Sequence, residues 1–117
     1  MKSNLLIELE IDENILYNTF SGNEQIMIRF IKKFPSDNSF DKLILAIEEN
    51  NSVAVYETLH TLKGLSSNLG LKKLSLLSND LLQDVKLKNY SDFYLKFNKI
   101  KEERKRIIDC INYYSNE

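Results

Sequence analysis

The chemistry in this sequence concentrates in one run, His60-Thr61-Leu62-Lys63-Gly64-Leu65-Ser66-Ser67-Asn68-Leu69-Gly70, which holds the only histidine of 117 residues. Set on a helix at about 100° per residue, Val55, Leu59, Leu62, Ser66 and Leu69 form an inward stripe. Tyr56, His60, Lys63, Gly64 and Ser67 form the stripe beside it, so His60 borders the core but faces solvent. A neutral imidazole is a good nitrogen nucleophile, and an unperturbed histidine is mostly neutral at pH 7. A phosphoryl group on its nitrogen brings close to two negative charges, and Lys63, one turn on, offers a positive charge within reach. Gly64 leaves out the side chain that would stand beside the imidazole. Glycine inside a helix costs about 1 kcal/mol relative to alanine, so its presence here asks for a steric reason.

Plainer readings exist for each residue alone. A lone histidine on a helix is more often a surface residue than a reactive one, Lys63 is an ordinary solvated lysine, and Gly64 is a candidate helix end. Against the last, Leu62, Ser66 and Leu69 continue the helical register, and Gly70 is the better stop. No metal site is expected, because one histidine with scattered carboxylates makes no ligand cluster. A histidine-based hydrolase would need an orienting acid and an oxyanion hole, and neither is identifiable. Cys110, the only cysteine, excludes an internal disulfide or a cysteine-based zinc site and reads as a small packed residue.

The elements that must position this run are helices. Only one proline and three glycines punctuate the chain, which favours long helices over a many-turned sheet. Ile7, Leu9 and Ile11 alternate with Glu8 and Glu10 in a strand-like period, and residues 1–11 are read as an extended lead-in lying on the helices. Asp12 caps a short helix to about Phe20. A second carries Ile26, Met27, Phe30, Ile31 and Phe34 until Pro35 stops it. A third carries Phe40, Leu43, Ile44 and Ile47 and fades at Asn50-Asn51. Ser52 is the expected N-cap of the fourth, which runs to Leu69 with Gly70 as its left-handed terminator. A fifth, from about Leu71 to Lys86, buries Leu74, Leu77, Leu81 and Val85. After a break at Lys88 to Ser91, a long last helix carries Phe93, Phe97, Ile100, Ile107, Ile111 and Tyr114. The expected fold is all-α: one domain over residues 1–117, an up-and-down four-helix bundle with one or two short additional helices at its amino end.

Composition narrows the function classes. The apolar share is 43%, enough for one core, and 16 basic against 17 acidic residues leave a net charge of -1. That balance gives no nucleic-acid footprint. No stretch approaches the roughly 18 apolar residues that cross a bilayer. A signal peptide's apolar stretch and cleavage site are missing, so the expected setting is cytoplasmic and away from membranes. There is no Gly-rich phosphate loop and no kinase motif, which argues against an ATP-dependent enzyme.

The run His60-Thr61-Leu62-Lys63-Gly64, with Ser66-Ser67-Asn68-Leu69-Gly70 after it, resembles the His-x-x-Lys-Gly signature and downstream Leu-Gly of the histidine phosphotransfer (HPt) domain family. Phe20-Ser21-Gly22-Asn23-Glu24 resembles the family's turn before its second helix, Phe30 to Phe34 that helix's end, and Leu43 to Tyr56 the approach to the histidine helix. The resemblance implies a phosphocarrier of a two-component phosphorelay, not an enzyme in its own right. His60 would accept a phosphoryl group from a receiver-domain aspartate and pass it to another receiver, Lys63 would stabilise it, and Gly64 would give access. Ser67 is a candidate supporting residue. Family members commonly offer a polar side chain from the next helix; Ser75, Ser78, Asn79 and Gln83 are candidates here, with Leu82 at one position where a polar residue is often found. The implied partners are receiver domains of response regulators or a hybrid sensor kinase, with Mg²⁺ on the receiver and no cofactor on this chain, which is expected to be a monomer. Leu5, Leu6, Ile7, Leu9, Ile11 and Ile15, rimmed by Lys72 and Lys73, are the expected docking residues. The alternative is a module of the same fold that docks on a kinase or receiver without carrying phosphate.

Overall fold

The computed structural model describes residues 1–116, and their regular structure is helical: α1 (Asn4–Glu8), α2 (Glu13–Phe20), α3 (Glu24–Ile31), α4 (Ser39–Glu48), α5 (Ser52–Asn68), α6 (Lys72–Lys86) and α7 (Phe93–Tyr113), with one 3-10 turn at Phe34–Ser36. The expected extended lead-in is instead mostly α1, so three short helices rather than one or two precede α4. Leu5, Leu6 and Leu9 are buried and Ile7 is 51% exposed, which is the three- and four-residue spacing of a helix rather than the alternation of a strand. The Ser3 hydroxyl accepts the Leu6 N–H, and the Glu24 carboxylate accepts the amides of Lys2 and Ser3 at 3.1–3.3 Å. With no partner strand among the described residues, these caps favour the helix.

Four helices end in the same way. At Glu10, Asn50, Gly70 and Lys88 the backbone turns left-handed, with φ between 53° and 71°. The following N–H groups bond back to carbonyls of the last turn, as in Ile11 to Leu6, Asn51 to Ala46, Leu71 to Ser66 and Asn89 to Asp84. This Schellman closure satisfies otherwise orphaned carbonyls and reverses the chain in a few residues. After Asn50, Asn51 is extended and its side chain accepts the Ala54 N–H at 3.1 Å. Asn51, not Ser52, is therefore the N-cap of α5. The second apolar segment also stops earlier than expected: α3 ends at Ile31, and Phe34 lies in the 3-10 turn with Pro35.

Helices α4, α5, α6 and α7 pack in chain order. The α6–α7 pair is antiparallel, since Lys73 pairs with Glu103 toward one end and Lys96 pairs with Asp80 and Asp84 toward the other. Hydrogen bonding to Asp84 holds the Lys96 ammonium above the ordinary lysine range. The Phe40 ring stacks on Phe97 at 5.8 Å and the Arg104 guanidinium covers Phe40 at 4.7 Å, bringing α4 against α7. Leu43, Leu59, Leu62, Leu74, Leu81 and Ile100 form the common core.

The short helices close the other side. Arg106 on α7 donates to the Glu8 carbonyl at 3.3 Å while holding the buried Glu103 carboxylate through two bonds of 2.8 Å. Those Glu103 bonds raise the Arg106 guanidinium above its ordinary range. The Asp12 N–H bonds the Gly70 carbonyl at 3.0 Å, fixing the start of α2 against the α5–α6 turn. A side chain at Gly70 would meet Ile11 and Met27 at 3.1 Å on a backbone with φ +71°, so glycine is required there by both space and conformation.

Candidate functional site

The face of α5 divides cleanly. Val55, Leu59, Leu62, Ser66 and Leu69 are buried, and the buried Ser66 hydroxyl is satisfied by the Leu62 and Lys63 carbonyls at 2.7 and 3.1 Å. His60 is exposed, while Tyr56, Lys63, Gly64 and Ser67 are half-buried. Thr58 and Thr61 fold their hydroxyls back onto carbonyls of the preceding turn, which leaves them no part in the site. Among the described residues neither nitrogen of His60 has a hydrogen-bond partner, and its ring pairs with that of Tyr56, 6.4 Å between centroids and tilted 31°. The Lys63 ammonium has no ion pair or hydrogen bond among the described residues. Helical side chains as a rule lean back toward the helix start, and the turn before Lys63 carries His60.

Gly64 differs from Gly70. It has ordinary helical geometry, and a Cβ built on it meets nothing within 4 Å. No contact inside the chain requires a glycine there. The space one turn beyond the imidazole is open to solvent.

Ser67 belongs to a different contact. Its hydroxyl pairs with that of Ser75 on α6 at 2.5 Å, bracing the two helices, and it lies two turns from His60, about 10 Å along the axis. This contact also sets the level of the neighbouring helix. Seven residues back from Ser67 is His60, and seven on from Ser75 in the antiparallel direction is Leu82, which is buried. The polar candidates on α6 do not reach the imidazole. Ser75 is taken by Ser67, Asn79 accepts from Gln83 at 3.2 Å, and Ser78 is buried with no partner for its hydroxyl among the described residues.

The expected docking residues are corrected as a group. Leu5, Leu6, Leu9 and Ile11 are buried and Ile15 is half-buried, leaving Ile7 alone exposed; the helical period of α1 turned them inward. Lys72 is exposed, and Lys73 lies 3.9 Å from the Glu103 carboxylate. Exposed apolar side chains lie on α3, and Val53 on α5 is exposed seven residues before His60. Ile26 and Phe30 are 39% and 47% exposed, and with Phe20, Leu65, Asn68 and Leu69 they line an open cleft. His60, Gly64 and Asn68 follow one another at four-residue steps, so the ridge from the imidazole leads to the lip of that cleft. A signal was present in the sequence: Ile26, Met27, Ile28, Phe30 and Ile31 are more apolar positions than one inward stripe of a two-turn helix buries.

Among the described residues no three His, Cys, Asp or Glu side chains are grouped to hold a metal, and no helix is long and apolar enough to cross a membrane. No family model, curated protein or solved structure matches the chain.

Proposed function

We propose that this chain is a phosphocarrier of the HPt type, with helices α4 to α7 as an up-and-down four-helix bundle and α1 to α3 as its short additional helices. A nitrogen of His60 attacks the phosphorus of a receiver's aspartyl phosphate. The N–P bond forms, the acyl O–P bond breaks, and the receiver recovers its carboxylate. The reverse exchange with a second receiver discharges His60. Lys63 offsets charge on the phosphoryl oxygens, and the receiver with its Mg²⁺ supplies the remaining electrostatics. The cleft beside α3 offers Ile26 and Phe30 as apolar contacts for the partner. The carrier acts as a monomer in the cytoplasm.

One observation carries the reading: an exposed histidine with an unpaired lysine one turn on and a mid-helix glycine that nothing within the chain requires. The test is incubation with a receiver labelled at its aspartyl phosphate. Label is expected on the wild-type chain and none on His60→Gln. Failure of wild-type labelling, or equal labelling of the variant, would overturn the proposal. A second reading, a module that docks without carrying phosphate, draws on the bare imidazole, which lacks any polar partner on α6. Receiver binding without label transfer is its signature.

A further inference from the structure

We infer that Tyr56 is the positioning residue for His60, a role that rests on the carrier reading for its kinetic consequence only. His60 is exposed and both its ring nitrogens are without partners among the described residues. At its level on the adjacent helix stands Leu82, a buried apolar side chain that has no hydrogen bond to give. No hydrogen bond from α6 orients the imidazole among the described residues. Helical side chains lean toward the helix start, and in that direction, four residues back, lies Tyr56. Its ring is half-buried and packed against the core, so it is anchored where the imidazole is not. The centroids are 6.4 Å apart and the planes tilted by 31°, within the range of aromatic pairs that attract beyond simple burial. Tyr56 thus acts as a fixed wall on one side of the imidazole, with Lys63 following on the other side along the helix. Restricting the imidazole to fewer rotamers before a partner arrives removes part of the ordering cost of the transfer complex.

The experiment compares wild type, Tyr56→Phe and Tyr56→Leu, the last keeping an apolar side chain toward the core. Two readouts are taken on each folded chain, with circular dichroism as the check of folding. The first is the proton chemical shift of the His60 ring, which needs no partner. Wild type and Tyr56→Phe are expected to share a ring-current shift that Tyr56→Leu lacks. The second is the rate of phosphoryl transfer from a labelled receiver, expected to fall about 3- to 10-fold in Tyr56→Leu and to be restored in Tyr56→Phe. A His60 shift equal in all three chains overturns the inference, as does a Tyr56→Phe rate as low as that of Tyr56→Leu, or a Tyr56→Leu rate equal to wild type. Should no wild-type label move, the carrier reading fails, while the shift measurement still decides whether Tyr56 holds His60.

Discussion

Replacing Gly64 by alanine separates the needs of the fold from the needs of the site. The added Cβ meets nothing within 4 Å and the backbone is already helical, so no clash offsets the gain in helix propensity, about 0.8–1 kcal/mol. Gly64→Ala is expected to be more stable than wild type by about 1 kcal/mol, which raises the thermal midpoint by about 3–6 °C for a chain of this size. Gly70→Ala is the internal control. Its Cβ would lie 3.1 Å from Ile11 and Met27 at φ +71°, so it is expected to lose stability. On transfer the sign reverses. A methyl group forced into a packed contact costs about 1–3 kcal/mol, and if a partner surface closes over Gly64 this slows labelling by about 5- to 150-fold. The assays are urea titration of each variant and the initial rate of label transfer from a phosphorylated receiver. A less stable Gly64→Ala would show that the helix uses the glycine internally. A stabilised variant with wild-type transfer would refute access as its purpose.

Two other substitutions test how polar groups are handled in the core. Ser78→Ala removes a buried hydroxyl that has no partner among the described residues, and is expected to stabilise the chain by about 1–2 kcal/mol; a loss in urea titration would mean the hydroxyl is satisfied. Glu103→Gln leaves Arg106 and Lys73 without their carboxylate. Because Arg106 is partly solvated, the loss is expected at about 1–3 kcal/mol, below that of a fully buried pair, read as a lower urea midpoint at an unchanged slope.

The seven-residue reach from Tyr56 to Lys63 was legible because an amphipathic helix of this length has one workable register, and burial of Leu59 and Leu62 leaves His60 outside. Gly70 was legible for a similar reason, as a left-handed stop after Leu69. The amino end was not. Five residues from Ile7 to Ile11 satisfy a two-residue period, and only Leu5 and Leu6 before them reveal the helical one; a run this short supports both. Glu10, Asn50 and Lys88 turn left-handed without glycine, so three of the four Schellman turns carried no glycine signal. The expected docking residues turn inward for the same reason that the lead-in is helical. Leu5, Leu6 and Leu9 point inward, while Ile26 and Phe30 on α3 are among the apolar side chains that reach solvent.

The sparseness of the His60 site is itself informative about the chemistry it suits. A general base for hydrolysis needs an acceptor to fix its tautomer and donors for a developing oxyanion; His60 has a tilted aromatic neighbour in Tyr56, a lysine one turn on and open space at Gly64. A carrier has the opposite requirement. It must take a phosphoryl group and release it again, and any hydrogen bond that held the phosphohistidine more tightly than the transition state would slow the second transfer. Stabilisation that arrives with the partner and leaves with it avoids that trap. The absence of a hydrogen bond to His60 among the described residues fits the proposed division of labour, in which this chain would contribute the nucleophile and the approach path and the receiver most of the charge.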